Sequence, residues 1–140
     1  MARVLMIEDT AHNLELMTYL LQAAGHTVTP ATTGAQGIEL AVDSPPDLII
    51  LDIQLPDTTG YDVLEALRGN SATRALPILA VTANAMVGDR DAALAAGFDG
   101  YLPKPIEPRT FNRDISGFLP RTLQGQQAAQ TTPAPNKGSD

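Results

Sequence analysis

Short apolar segments alternate along the chain with longer segments in which apolar residues recur at helical spacing. Five apolar runs bounded by turn residues are predicted to be β-strands: residues 4–7, 26–30, 48–51, 78–81 and 100–102. Most of these runs are apolar almost throughout or very short. This pattern favours parallel strands covered on both faces over a half-exposed antiparallel sheet, in which apolar and polar residues alternate.

Helical spacing is clearest after the first strand, where Leu14, Met17, Leu21 and Ala24 recur at intervals of three and four residues. Gly25 follows as a helix-end signal. Similar patterns predict helices at residues 35–42, 61–68, 85–96 and 109–118. Five strands alternating with five helices are typical of an α/β domain with a parallel sheet and right-handed crossovers.

The chain of 140 residues is long enough for one domain with a sizeable core. We predict that residues 1–120 form this domain. Residues 121–140 are polar and rich in Gln, Thr, Pro and Gly, and we predict that they form a disordered tail. The composition leaves open that this tail is a docking segment for a partner.

Composition and charge narrow the function classes. Hydrophobic residues make up 44% and charged residues 18% of the chain, as in globular proteins. The net charge of −7 and the lack of a Lys/Arg cluster argue against direct binding of nucleic acid. A chain without cysteine has no disulfide and no thiol nucleophile. The apolar run 4–7 is too short for a signal peptide or a membrane span, so we expect a cytoplasmic protein without membrane contact.

The residues that could carry chemistry follow the predicted strands. In a doubly wound sheet the ligand site lies outside the carboxyl ends of the strands, so we expect these residues to meet at one edge. Three carboxylates at that edge would repel one another, and Mg²⁺ would resolve the repulsion. A hydroxyl and an ammonium group would suit a phosphoryl ligand. The residues are Glu8 and Asp9 after the first strand, Asp52 after the third, Thr82 and Ala83 after the fourth, and Lys104 after the fifth.

Each of these residues also has a purely structural interpretation. Asp9 or Thr10 could cap the helix that follows the first strand. Thr82 could be an ordinary β-branched strand residue, and Lys104 a solvated loop residue. Taken together, acids, hydroxyl and ammonium at four strand ends on the same edge point to a functional site.

Four segments carry a resemblance to a known family: VLMIED, DLIILDIQLPDTTG, PILAVTA and YLPKP. In this order and at these separations they resemble the response-regulator receiver domain, the phosphoacceptor module of two-component signalling. The resemblance covers residues 3 to about 119. It implies the flavodoxin-like fold of the single-domain chemotaxis regulators, a five-stranded parallel sheet of order 2-1-3-4-5 with five helices.

The resemblance makes Asp52 the residue that accepts a phosphoryl group from a kinase histidine. It implies that Asp9, the Asp52 carboxylate and the backbone carbonyl of Gln54 bind Mg²⁺, and that Glu8 acts mainly through a metal-bound water.

The resemblance also implies contacts to the phosphoryl oxygens. The Thr82 hydroxyl, the Ala83 backbone N–H and the Lys104 ammonium would supply them, and the bond between Lys104 and Pro105 would be cis. Tyr101 matches an aromatic residue whose rotamer is coupled to that threonine, so Thr82 and Tyr101 are the candidate switch pair. Tyr101 could alternatively be a partly buried core residue.

The remaining polar residues have weaker interpretations. In the family, the side chains at the positions of Gln54 and Asn84 tune hydrolysis of the phosphoryl group. The two histidines, His12 and His26, lack metal-ligand spacing, and we expect them at the surface. Asp57 and Gly60 are predicted to build the turn after the third strand, and Gly60 and Asn84 could affect how water reaches Asp52.

We therefore predict a stand-alone receiver that is not an enzyme beyond self-phosphorylation and autodephosphorylation. Its partners would be a sensor histidine kinase or phosphotransfer protein and a downstream protein bound at the face of helix 4, strand 5 and helix 5. The sequence leaves open whether the protein forms a homodimer. One alternative is a receiver cut from a larger regulator or hybrid kinase, although the early first strand favours a natural N-terminus.

Two further function classes fit the chain less well. A Mg²⁺-dependent phosphohydrolase of haloacid-dehalogenase type would need a second aspartate two positions after the first, where this chain has Gln54. A nucleotide-binding module would carry a Gly-rich phosphate-binding motif, which the sequence lacks.

Overall fold

A computed structural model describes residues 2–83 and 88–119 of the chain. Within those residues it contains five strands alternating with five helices, as the sequence predicts. The predicted tail at residues 121–140 lies outside the described residues. The elements are β1 (Arg3–Ile7), α1 (Ala11–Ala23), β2 (Thr27–Ala31), α2 (Gly34–Asp43), β3 (Leu48–Asp52), α3 (Gly60–Arg68), β4 (Ile78–Thr82), α4 (Asp89–Ala96), β5 (Gly100–Pro103) and α5 (Phe111–Ser116).

The five strands form one sheet of order β2-β1-β3-β4-β5 in which every neighbouring pair is parallel. The predicted α/β class and strand order are thereby confirmed. Ile7 at the end of β1 pairs with Leu51 of β3. Asp52 pairs with Val81 in β4. This register brings the carboxyl ends of the central strands to one edge of the sheet.

Alternate residues of each central strand enter two separate cores, one on each face of the sheet. On one face, Met6 and Ile50 pack with residues of α1 and α5. On the other face, Ile7 and Leu51 pack with residues of α2, α3 and α4. All five residues of β3, including Asp52, are buried. A strand covered on both faces explains why its sequence is a continuous apolar run that ends on a single acid.

Most predicted strand and helix boundaries lie within one residue of the observed ones, and the starts of β2 and α4 and both ends of α5 differ for local reasons. The second strand begins at Thr27 because the backbone N–H of His26 donates to the carbonyl of Leu21, at 3.0 Å, and closes the end of α1. Helix α4 begins at Asp89, because Gly88 has a φ of +94° and so does not adopt the right-handed helical conformation. Residues 85–87 of the predicted helix lie outside the described residues.

Helix α5 is shorter than the predicted span 109–118. Before it, the backbone N–H groups of Thr110 and Phe111 both donate to the Glu107 carbonyl, so this stretch is a turn. After it, Phe118 and Leu119 bond to carbonyls three residues back rather than four. None of the helices in the described ranges is long and apolar enough to cross a membrane.

Candidate functional site

Three carboxylates lie together at the carboxyl edge of the sheet. Glu8 and Asp9 follow β1 directly, and Asp52 is the last residue of the neighbouring strand β3. One oxygen atom from each of the three side chains lies within 4.8 Å of the other two. The strand order therefore brings the three predicted acids together, because neighbouring parallel strands end side by side.

Backbone contacts position these acids. The N–H of Glu8 donates to the carbonyl of Ala31 at 2.9 Å, which holds the end of β1 against β2. The N–H of Gly60 donates to the carbonyl of Ile53 at 2.6 Å. A Cβ at Gly60 would lie 2.8 Å from the carbonyl oxygen of Asp52, so glycine allows α3 to start directly behind the acid.

Lys104 supplies positive charge to the acids. Its Nζ lies 3.3 Å from Oδ2 of Asp52, and 3.1 and 3.2 Å from the two carboxylate oxygens of Glu8. Glu8 is 1% and Asp52 3% exposed, whereas Asp9 is exposed to solvent. The Lys104 backbone N–H donates to the carbonyl of Thr82 at 2.8 Å. The Lys104–Pro105 bond is cis, as the resemblance implies.

Two further backbone donors contact the buried acids. The N–H of Thr10 donates to Oε2 of Glu8 at 3.0 Å, and the N–H of Gln54 donates to Oδ1 of Asp52 at 3.0 Å. Burial raises the pKa of Glu8, and the charge of Asp52 raises it further. The Thr10 N–H and Lys104 act in the opposite direction without cancelling the rise. Burial is the largest of these influences, so the surroundings of Glu8 disfavour its charged form.

An open cleft of about 390 Å³ gives access to the acids from solvent. One wall is the start of α1, and the opposite wall is the loop between β3 and α3. The lining residues are Asp9, Thr10, Asn13, Asp52, Gln54, Leu55, Pro56, Ala83 and Lys104. Asp52 is thus largely buried yet reachable by a small ligand or a side chain of another protein.

Thr82 and Tyr101 lie on neighbouring strands beside this cleft. Thr82 is the buried last residue of β4 and precedes Ala83, which lines the cleft. Tyr101 of β5 pairs with Ala80, which points to the same face as Thr82 two residues on. The Tyr101 hydroxyl is buried without a hydrogen-bond partner among the described residues, and burial raises the pKa of Tyr101. Both predicted switch residues therefore share one face of the sheet.

The structure differs from the sequence interpretation at His26, which is 8% exposed rather than at the surface. Its Nδ1 accepts a hydrogen bond from the backbone N–H of Ala2 at 3.0 Å. Because Ala2 and His26 are 24 residues apart in the chain, no local sequence pattern predicts this hydrogen bond. His12 is exposed, as expected. Asn84, a predicted hydrolysis-tuning residue, lies outside the described residues.

Two residues near the acids were missed or underestimated from the sequence. Asn13 lines the cleft from the first turn of α1, and its place at the start of the helix that follows the acids could have indicated this position. Asp57 does more than build a turn, because its carboxylate accepts hydrogen bonds from the backbone N–H groups of Gly34 and Ala35. Its partners are more than 20 residues away in the chain, so sequence patterns could not reveal them.

The donor atoms at this edge suit Mg²⁺. Carboxylate and carbonyl oxygens are the ligands that hard divalent cations prefer, and water can complete the coordination in an open cleft. Asp9 and Asp52 supply carboxylates there, and Gln54 also lines the cleft. Because three acids face a single ammonium group, a divalent cation would reduce the repulsion among them.

The fold and this arrangement match a known family. The family model for the response regulator receiver domain matches residues 4–116, and the chain belongs to this family. Receiver domains are signal transducers of two-component systems, and the family implies a phosphoacceptor role. The curated polar-differentiation response regulator DivK of Brucella ovis is 35% identical over 116 residues, covering 83% of this chain and 94% of its own.

Solved structures agree with this assignment. The chemotaxis response regulator CheY4 of Vibrio cholerae superposes with a TM-score of 0.80 at 30% identity, covering 85% of this chain and 99% of its own. The receiver domain of the sensor histidine kinase PA1611 from Pseudomonas aeruginosa PAO1 superposes with a TM-score of 0.77 at 32% identity. The match covers 84% of this chain and 96% of that receiver domain. That neighbour has a magnesium ion coordinated in its active-site cleft.

Proposed function

We propose that Asp52 accepts a phosphoryl group from the phosphohistidine of a sensor histidine kinase or phosphotransfer protein. The observation that carries the proposal is the contact between Asp52 and Lys104, 3.3 Å apart at the floor of an open cleft that also holds Asp9. A carboxylate that is buried, held by an ammonium group and still reachable from solvent is suited to a covalent reaction with a partner's group. Membership of the receiver family supports the same role.

Asp9, Asp52 and the backbone carbonyl of Gln54 would hold Mg²⁺, with Glu8 acting through water. When bound, the cation would neutralise charge on the phosphoryl oxygens. Glu8 is less accessible than Asp9, and it is already paired with Lys104 and the Thr10 N–H. This difference in burial supports a direct role for Asp9 and an indirect one for Glu8.

In the transfer, an Asp52 carboxylate oxygen forms a bond to phosphorus while the bond between phosphorus and the histidine nitrogen breaks. The imidazole leaves with the electron pair of the broken bond. Lys104 lies beside the reacting carboxylate and would offset negative charge on the phosphoryl group. The Thr82 hydroxyl and the Ala83 N–H would contact its other oxygens.

Acetyl phosphate tests the phosphoacceptor directly. Incubation with and without Mg²⁺, followed by intact-mass measurement, should show one added phosphoryl group that depends on the metal. Asp52→Asn should add none, whereas Glu65→Gln, which removes an exposed acid on α3, should still be labelled. Labelling that persists in Asp52→Asn, or turnover of many equivalents of a phosphate ester, would contradict the proposal.

Phosphorylation would switch a protein-binding surface formed by α4, β5 and α5. The phosphoryl group would draw the Thr82 hydroxyl inward, and the Tyr101 ring would move into the space released. The shared face of the two residues supports this coupling, as does the Tyr101 hydroxyl, which is buried without a hydrogen-bond partner among residues 2–83 and 88–119. Thr82→Ala should still accept a phosphoryl group but lose the amide chemical-shift changes in β5 and α5 that wild-type protein shows on phosphorylation. Undiminished shifts in that variant would contradict the coupling.

Gln54 and Asn84 would set the rate of autodephosphorylation. Gln54 is exposed at the cleft, where its side chain can affect access of water to Asp52. The role of Asn84 rests on its sequence position alone. Gln54→Ala should change the decay rate of the phosphorylated form without preventing its formation, which intact-mass time courses would measure.

A further inference from the structure

The loop between β3 and α3, residues 53–59, carries the Gln54 carbonyl proposed to bind Mg²⁺. Its base is closed by a bridge between Gln54 and Thr59. Its tip is closed by a hydrogen bond from the N–H of Leu55 to the carbonyl of Thr58, at 3.3 Å. These contacts shape the loop internally but do not attach its tip to the rest of the domain.

The Thr58 hydroxyl attaches the tip to α3 by donating to Oδ2 of Asp62 at 3.1 Å, and Asp57 attaches the tip to α2. Its Oδ1 accepts from the N–H of Gly34 at 2.8 Å, and its Oδ2 accepts from the N–H of Ala35 at 3.1 Å. Both donors belong to the first turn of α2, whose N–H groups have no partner within the helix. These two bonds lower the pKa of Asp57, so the side chain is ionised at neutral pH. An exposed loop is thus held to a helix by one bidentate carboxylate.

Helix α2 is in turn fixed to β1. A Cβ at Gly37 would collide with the side chain of Ile7, so the helix backbone lies directly against the last residue of that strand. Glu8 and Asp9 follow Ile7 immediately. The Asp57 carboxylate therefore connects the loop that carries Gln54 with the helix that packs on the strand carrying the other acids.

We propose that Asp57 is a positioning residue for the divalent-cation site, holding the Gln54 carbonyl at a fixed place relative to Asp9 by clamping the loop to α2. The inference rests on the proposed Mg²⁺ site and adds a determinant of its affinity. Asp57 itself does not line the cleft and acts through the loop.

Binding of Mg²⁺ to Asp57→Asn tests the clamp. The amide loses one carboxylate oxygen as acceptor, and the Mg²⁺ dissociation constant should rise roughly tenfold, at the lower end of the effects of outer-shell substitutions. The measurement is a Mg²⁺ titration followed by the amide resonances of Asp9 and Leu55. Glu65→Gln, which removes an exposed acid on α3, is the matched control and should change the constant less than about twofold.

A loss of charge alone would also weaken cation binding, and two measurements separate it from positioning. A charge effect should fade at about 0.5 M potassium chloride, whereas the positional effect should persist. Gly34→Ala changes no charge, but its Cβ would collide with the methyl group of Thr58 and lie 2.8 Å from Cγ2 of Val63. This variant should displace the loop and weaken Mg²⁺ binding as well.

Wild-type protein offers a test that needs no variant. If the hydrogen bonds between Asp57 and α2 raise the affinity for Mg²⁺ by a given factor, bound Mg²⁺ must shift the equilibrium toward these hydrogen bonds by the same factor. Exchange of the Gly34 and Ala35 amide hydrogens should therefore slow roughly tenfold in saturating Mg²⁺, in line with the expected change in affinity. Absence of Mg²⁺ binding to wild-type protein would overturn the proposed site itself. Equal affinity in wild type and Asp57→Asn, or unchanged amide exchange, would overturn only the role of Asp57.

Discussion

The Nζ of Lys104 lies 3.3 Å from Oδ2 of Asp52 and 3.1 Å from Oε1 of Glu8, so one ammonium group faces two buried carboxylates. Lys104 is 52 residues from Asp52 in the chain. The backbone N–H of Lys104 donates to the carbonyl of Thr82 at 2.8 Å, which fixes the chain at this point. This geometry determines how the domain should respond to changes in charge.

Lys104→Gln should destabilise the domain. Without the ammonium group, Glu8 and Asp52 stay buried with fewer partners, and the free energy of unfolding should fall by about 3 kcal/mol. Urea unfolding would measure the change. Arg109→Gln is the matched control, because Arg109 is 91% exposed and its loss should matter little. Equal effects of the two substitutions would show that the Lys104 contacts do not stabilise the fold.

Mg²⁺ should stabilise the folded domain, because the folded chain brings the three acids together and the unfolded chain does not. At a free concentration ten times the dissociation constant, the gain is about 1.4 kcal/mol. Thermal unfolding at constant ionic strength, with potassium replacing Mg²⁺ in the reference, would measure it. In Asp9→Asn most of the stabilisation by Mg²⁺ should be lost, whereas Glu65→Gln should retain it. Undiminished stabilisation of Asp9→Asn would show that Mg²⁺ binds at a different site.

His26 should make stability depend on pH. Burial lowers the pKa of His26 in the folded protein below its ordinary value of 6.5. As the pH falls below 6.5, His26 binds a proton in the unfolded chain before it does so in the folded one. The free energy of unfolding is therefore highest above pH 6.5 and decreases on acidification. The loss is at most about 1.4 kcal/mol per pH unit.

A variant isolates this contribution from those of the carboxylates. His26→Gln can still accept a hydrogen bond from Ala2 but does not titrate. The difference in unfolding free energy between wild type and variant should shrink or reverse in favour of the variant from about pH 7.5 to about pH 5. A difference that is constant over this interval would show that His26 titrates alike in both states.

Arg68 should be a strong determinant of stability outside the site. Its two terminal nitrogens donate to the carbonyls of Arg74, Leu76 and Gly97 and to Asp99, at 2.6 to 2.9 Å. Arg68→Ala should cost about 2 kcal/mol in chemical unfolding, and Arg68→Lys should recover little because one ammonium group cannot reproduce the planar fork. Arg74→Ala, which removes only an exposed side chain, should stay within about 0.5 kcal/mol of wild type. A free energy of unfolding for Arg68→Lys equal to that of wild type would show that the planar guanidinium group is not required.

The order of elements and the three acids could be predicted because each depends on a local signal. An apolar run such as 48–51 is typical of a strand covered on both faces, and Asp52 is the single acid at its end. Once parallel strands are inferred, their carboxyl ends share one edge, so Glu8, Asp9 and Asp52 belong together. The same strand-end argument extends this expectation to Thr82 and Lys104, and the family motifs imply their roles.

By itself, the sequence determined the strands, the helices and which acids stand at the strand ends, because periodicity and turn residues act over a few neighbouring positions. Only the tertiary structure decided the hydrogen bond of Asp57 with Gly34, the burial of His26 and the contacts of Arg68 with Gly97 and Asp99. Each of these joins groups that are more than 20 residues apart. Hydrogen bonds at such separations arise when packed elements meet in space, and they leave no periodic trace in the chain.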